Sequence, residues 1–124
     1  MAFEELGKCI TRPAGSDLSA KQYTFMTINS SGQLATTGNN LDSDGVLQDK
    51  PAAQGRGGTI MVGVGITKIT AGAAFAVGDY LSSDAAGKAV KAATGDYILG
   101  KALESATVAG DVVAMLWRNR SSVA

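Results

Sequence analysis

The stretch TIMVGVGITKI, residues 59–69, decides the fold class. Ile60, Val62, Val64 and Ile66 alternate with Met61, Gly63, Gly65 and Thr67. Successive side chains of an extended chain point to opposite faces, so a period of two predicts a strand with one buried face. The glycines on the other face leave room for another backbone to approach, or mark a bend.

The flanking segments read the same way. Upstream, QYTFMTI (22–28) is rich in β-branched and aromatic residues and predicts a strand. A turn at Asn29-Ser30-Ser31-Gly32 leads back into QLA. TTGNNLDSDG (36–45) is a polar loop, VLQD (46–49) a further short strand, and KPAAQGRGG (50–58) a flexible loop. Downstream, Asp84-Ala85-Ala86-Gly87 joins DYLSS to KAVKA as a hairpin. Two segments, ITAGAAFAVGDYLSS and ESATVAGDVVAMLW, share one pattern in which small residues lead to a Gly-Asp turn and then to apolar residues. No amphipathic helical period of useful length appears. Short strands at even intervals predict an all-β fold, a small antiparallel β-barrel or sandwich. Residues 1–21 show no sustained period and carry the breaker cluster Arg12-Pro13-Ala14-Gly15-Ser16. They read as an extended N-terminal arm, with one helical turn at Asp17–Lys21, ahead of a single barrel-like domain over 22–124.

Composition narrows function. The 124 residues fit one compact domain. Hydrophobic residues make up 45%, much of it Ala, so the core is modest and self-association would help a monomer of limited stability. Eleven basic and eleven acidic residues cancel and are scattered, which argues against nucleic acid or an anionic membrane as partner. No apolar run approaches a bilayer span, and the Met-Ala-Phe-Glu-Glu start lacks the features of an export signal. Cys9 alone forms no internal disulfide, and with no His in the chain it lacks the usual partner of a nucleophilic thiol.

Each candidate site has a plain structural reading. A phosphate loop needs a glycine-rich turn feeding a helix, and strand-like residues follow each Gly-Asp pair here. GRGG (55–58) and GVG (63–65) complete no nucleotide-binding pattern. LDSDG (41–45) lacks the closing acidic ligand of a calcium loop, and one Cys with no His does not suggest zinc. Ser82, Ser83 and Lys88 lie near one hairpin, but a serine-lysine catalytic pair on a solvated turn is a weak reading. No catalytic residue, metal or cofactor is expected.

DLSAKQYTFM, GVLQDKPAAQG, GITKITAGAAFAVGDYLSSDAAGKAVKA and ILGKALESATVAGDVVAMLW, in that order, resemble the capsid cement (head decoration) proteins of tailed bacteriophages. The resemblance runs over about residues 10 to 117. It implies a small β-rich structural protein on the outside of the assembled head, bound to the major capsid protein, often as a homotrimer, and holding neighbouring capsomers together. Its location would be the virion capsid surface, after assembly in the host cytoplasm. Under this reading the expected shell contacts are Phe3, Leu6, Ile10 and Arg12 in the arm, with Lys50 and Arg56 in the 50–58 loop. The competing readings are a tail or baseplate component, a glycan-binding β-module, and a small serine-lysine hydrolase.

Overall fold

The computed structural model describes residues 7–123, with residues 119–123 as backbone alone. Its strands are β1 (Cys9–Pro13), β2 (Phe25–Ile28), β3 (Leu34–Thr36), β4 (Gly45–Leu47), β5 (Gly57–Met61), β6 (Gly65–Thr70), β7 (Tyr80–Ser83), β8 (Ala89–Lys91), β9 (Tyr97–Ala102) and β10 (Val112–Val123). They form two five-stranded antiparallel sheets, ordered β1-β5-β4-β2-β3 and β6-β10-β9-β7-β8. In each sheet the residue after the first strand makes a parallel bridge to the far edge, Ala14 to Leu34 and Ala71 to Ala89. Those bridges draw the two edges of each sheet together into a small barrel. The all-β expectation holds.

Residues 59–69 are not one strand. β5 belongs to the first sheet and β6 to the second, with a corner at Val62-Gly63-Val64. The alternation slips there. Ile60 and Met61 are buried, Val64 is 62% exposed, and the buried set resumes at Thr67 and Ile69. Both roles foreseen for the glycines apply at Gly63. A Cβ on it would lie 2.6 Å from the Lys8 amide nitrogen, and the Val62 and Gly63 N–H groups donate to the Lys8 carbonyl at 2.8 and 3.0 Å.

The two halves of the chain share one design. Every register pair of the first sheet recurs in the second. Over β2 to β5 the residue numbers rise by 55, so that Met26↔Thr36 becomes Leu81↔Lys91 and Leu47↔Ile60 becomes Ala102↔Met115. Along β1 they rise by 57, so that Cys9↔Met61 becomes Ile66↔Leu116. The additional residues lie between Leu18 and Lys21, whose counterparts Phe75 and Ala76 are adjacent. Loop bonds recur as well. Leu18 N–H donates to Pro51 O and Phe75 N–H to Ala106 O, at 2.9 and 3.1 Å. Thr59 N–H donates to Asp49 Oδ1 and Ala114 N–H to Glu104 Oε1, at 3.0 and 2.8 Å.

The cores follow the repeat. Ala14, Leu18, Met26, Leu34, Leu47 and Ile60 fill the first barrel. Their counterparts Ala71, Phe75, Leu81, Ala89, Ala102 and Met115 fill the second. Burying each Leu, Ile, Met or Phe contributes about 1.5–3 kcal/mol. The second cluster also takes in Phe25, Val46 and Met61, which point out of the first barrel. They alternate along their strands with inward Met26, Leu47 and Ile60, and so weld one barrel to the other.

Part of the segment read as an arm is built into the first barrel. Cys9–Pro13 is an edge strand paired with β5, while Ala14 and Leu18 are buried. Pro13 at the strand end is compatible with an edge position. The turn expected at Asp17–Lys21 is a single hydrogen-bonded loop, Lys21 N–H to Leu18 O at 3.0 Å. Residues 1–6, which include Phe3 and Leu6, lie outside the described residues.

Candidate functional site

The Gly-Asp pairs are built as turns. In Ala76–Asp79, Ala93–Asp96 and Val108–Asp111 the third residue is a glycine with φ of 88°, 92° and 96°. That is the left-handed conformation a type II turn requires. The Asp N–H returns to the first carbonyl at 3.2, 3.0 and 3.3 Å. The same Asp carboxylate accepts the first residue's N–H, at 2.9 Å for Asp79, 2.8 Å for Asp96 and 3.3 Å for Asp111. Asp111 Oδ2 also accepts the Thr107 N–H and hydroxyl, both at 2.9 Å. In the β7–β8 hairpin, Asp84 Oδ1 accepts the Ala86 and Lys88 N–H groups at 2.8 and 2.9 Å.

Hydrogen bonds from Thr107, then Val108, hold the Asp111 carboxyl below its ordinary range. A folded-state pKa below the unfolded one gives stability that is present above the unfolded pKa and lost as pH falls through the folded one. Asp111→Asn should therefore flatten part of the wild-type loss of stability in acid, below the ordinary carboxylate range. Thermal melts of both proteins across that window check it, and identical acid limbs would contradict it.

The remaining polar clusters are also turned inward to backbone. Asp44 Oδ2 accepts the Ile28 N–H at 2.8 Å and Asp42 Oδ1 the Ser43 N–H at 2.8 Å. Buried Ser43 donates toward the Met26 and Gly45 carbonyls, each at 3.0 Å. Ser82 and Ser83 are buried, and the Ser83 hydroxyl lies 2.9 Å from Asp84 O and 3.4 Å from Thr37 O. A hydroxyl donating to carbonyls is not poised beside a lysine base. Among the described residues, no three His, Cys, Asp or Glu side chains gather as a metal would need, and no pocket opens.

Of the expected contact residues, Ile10, Arg12, Lys50 and Arg56 lie on the first barrel and its loops, and Phe3 and Leu6 lie outside the described residues. Ile10 is half-buried and packs against the first core. Arg12 is exposed, and its Nε donates to Gly32 O at 3.0 Å. Lys50 and Arg56 are exposed. Their loop is tied down rather than loose. Ala14 N–H donates to Arg56 O at 2.7 Å, Gly55 N–H to Ala14 O at 2.8 Å, and Pro51 is buried. The loop is therefore fixed beside the segment that follows Arg12. Sequence reading missed a second surface, on the second barrel, where Val77, Tyr80 and Leu103 are exposed. The signal was present in the pattern, since Tyr80 is apolar on the outward phase of a strand whose inward residue is Leu81, and Leu103 directly follows inward Ala102.

The family model of phage cement proteins matches residues 19–117. The chain belongs to the phage cement protein family. It is a structural protein of the virion that decorates the capsid. No curated protein matches this cement protein in sequence. Its fold is similar to that of the head fiber gp8.5 N base in bacteriophage phi29, with a TM-score of 0.74 at 21% identity, covering 93% of this chain and 97% of that one.

Proposed function

We propose that the protein binds the outside of the assembled head, on the major capsid protein, and stabilises contacts between neighbouring capsomers without catalysing a reaction. The family match over residues 19–117 carries this reading. The contact surface is that of Arg12, Lys50 and Arg56, three exposed cations on a tied-down frame. Residues Phe3 and Leu6 add contact to the shell. Near-zero net charge limits repulsion between crowded copies, which act as a symmetric homo-oligomer, a trimer. The protein joins the head in the host cytoplasm, and neither nucleic acid nor membrane takes part.

β1 now dictates how the arm is tested. Removing residues 1–12 would strip most of an edge strand and expose β5, so the informative truncation removes residues 1–6 alone. That truncation should keep the melting temperature and weaken binding to heads. Neutralising Arg12, Lys50 and Arg56 together should weaken binding about tenfold, because each exposed pair contributes about 0.2–1 kcal/mol. Quantitative binding of labelled protein to purified heads checks both. If both variants coat heads as tightly as the full chain, this surface is not the shell contact.

A further inference from the structure

The repeat leaves two surfaces uncovered, and they are the counterparts of two surfaces that cover each other inside the molecule. Within the chain, an outward row of the first barrel, Phe25–Val46–Met61, runs across β2, β4 and β5 and is fully buried by the second barrel. Its counterpart on the second barrel is Tyr80–Lys101–Leu116, in the same register. There Tyr80 is 42% exposed and Leu116 is half-buried. The flanking positions behave alike. Half-buried Gln22 and Gln48 correspond to Val77 and Leu103, which are 62% and 39% exposed.

The covering surface shows the reverse. In the second barrel, Thr67, Ser83 and Trp117 are fully buried against the first. Gln48 Nε2 donates to Thr67 Oγ1 at 2.9 Å, the Ser83 hydroxyl lies 3.4 Å from Thr37 O, and the Trp117 ring is 6.1 Å from that of Phe25. Their counterparts on the first barrel are Ile10, Ile28 and Val62. All three are apolar and only half-buried.

We infer that a second copy of this chain covers the open face of the second barrel, its Ile10, Ile28 and Val62 seating on Tyr80, Leu103 and Leu116 as Thr67, Ser83 and Trp117 seat within one chain. The chemistry changes on both sides together. The internal polar pair Gln48–Thr67 becomes Leu103 against Ile10, and Thr37 beside Ser83 becomes Ala92 beside Ile28. An apolar pair suits a contact that must form from solution, where burial of area drives association. Tyr80 is an aromatic anchor held between cations, with Lys101 Nζ 5.6 Å and the Arg118 guanidinium 5.0 Å from its ring. Two internal bonds, both made by Thr70, have no counterpart. Thr70 N–H donates to Tyr23 O at 2.7 Å and its hydroxyl to Gln22 O at 3.2 Å. The residue equivalent to Thr70 is Pro13, which has neither an N–H nor a hydroxyl.

The contact joins unlike surfaces, so it is heterologous and builds a ring where its rotation closes, whereas a like-to-like contact builds a dimer. It rests on the self-association proposed above and names the surfaces that carry it. The first measurement is light scattering with chromatography on the full chain and on Tyr80→Asp. Tyr80 is exposed, so the variant should keep its melting temperature while the dissociation constant of the oligomer rises at least about tenfold. The second uses two proteins in a Cys9→Ser background, one carrying only Leu103→Cys and the other only Ile10→Cys. Mixed with a short bis-maleimide, they should form cross-linked pairs, and each alone should not. A stable oligomer that Tyr80→Asp leaves intact, with no mixed cross-link, overturns this assignment and leaves self-association standing. A full-length chain that stays monomeric at high concentration overturns self-association itself.

Discussion

Trp117→Ala should lower the free energy of unfolding by about 3–5 kcal/mol, the usual cost of truncating a buried large aromatic side chain. Trp117 is 1% exposed and sits on β10, opposite Gly65 of β6 and Gly100 of β9. Its ring faces Phe25 at 38°, and its indole N–H donates to Val62 O at 3.3 Å. It thus belongs to the second core, seals the outward row of the first barrel and pins the corner between them. Domains of this size are stable by only about 5–15 kcal/mol, so the loss is a large share of the total. Trp117→Phe keeps most of the packing and should recover all but about 0.5–1.5 kcal/mol, the worth of the lost hydrogen bond. Urea unfolding followed by circular dichroism checks this, since the only tryptophan is the one removed. A cost below about 1 kcal/mol for the Ala variant would show that the barrels hold together by other contacts.

Gly100→Ala should destabilise although alanine ordinarily outperforms glycine in a strand by about 0.5–1 kcal/mol. A Cβ at Gly100 would lie 2.7 Å from the Leu116 carbonyl oxygen and 2.6 Å from Met115 Sδ. The thioether can swing away, but the carbonyl belongs to β10 and cannot. Gly45 is its counterpart, and a Cβ there would meet the equivalent carbonyl, that of Met61, at 2.8 Å. Each substitution should cost about 1–3 kcal/mol, as overpacking does, and Gly100→Val more than either. Equilibrium unfolding of the two alanine variants gives the sign directly. A neutral or stabilising result at both sites would mean that strands β4 and β9 pack less closely against β5 and β10 than their register implies.

These two sites also explain what could be read in the sequence. Strands with β-branched or aromatic residues between glycine-marked turns, such as Phe25–Ile28 and the Tyr80–Lys91 hairpin, were legible because local chemistry sets both the strand and the turn. The corner at Val62–Val64 was not, because a glycine that turns a strand looks the same as a glycine that a neighbour crowds. The edge strand Cys9–Pro13 was hidden by Arg12 and Pro13, which read as breakers and are tolerated where no second neighbour demands an N–H. The repeat escaped because what it preserves is register and inward volume. Tyr23 at φ 60° stands where the other half has Gly78 at 88°, and Asp49 stands where it has Glu104. The residues that persist, Ala14 with Ala71, Gly15 with Gly72, Gly32 with Gly87, Gly45 with Gly100 and Gly55 with Gly110, are too small and too common to signal it. The Gly-Asp motif drew attention to a different likeness, since Gly78 and Gly110 share a turn type but not a place in the repeat. The shell contacts were the least legible, because exposed cations on loops carry no periodic signature.

Co-sedimentation of the purified chain with empty expanded heads, run beside unexpanded precursor heads, tests capsid decoration most directly. Saturable binding to expanded heads, with little or none to precursors, is the predicted result. Protein left in the supernatant with both would contradict it.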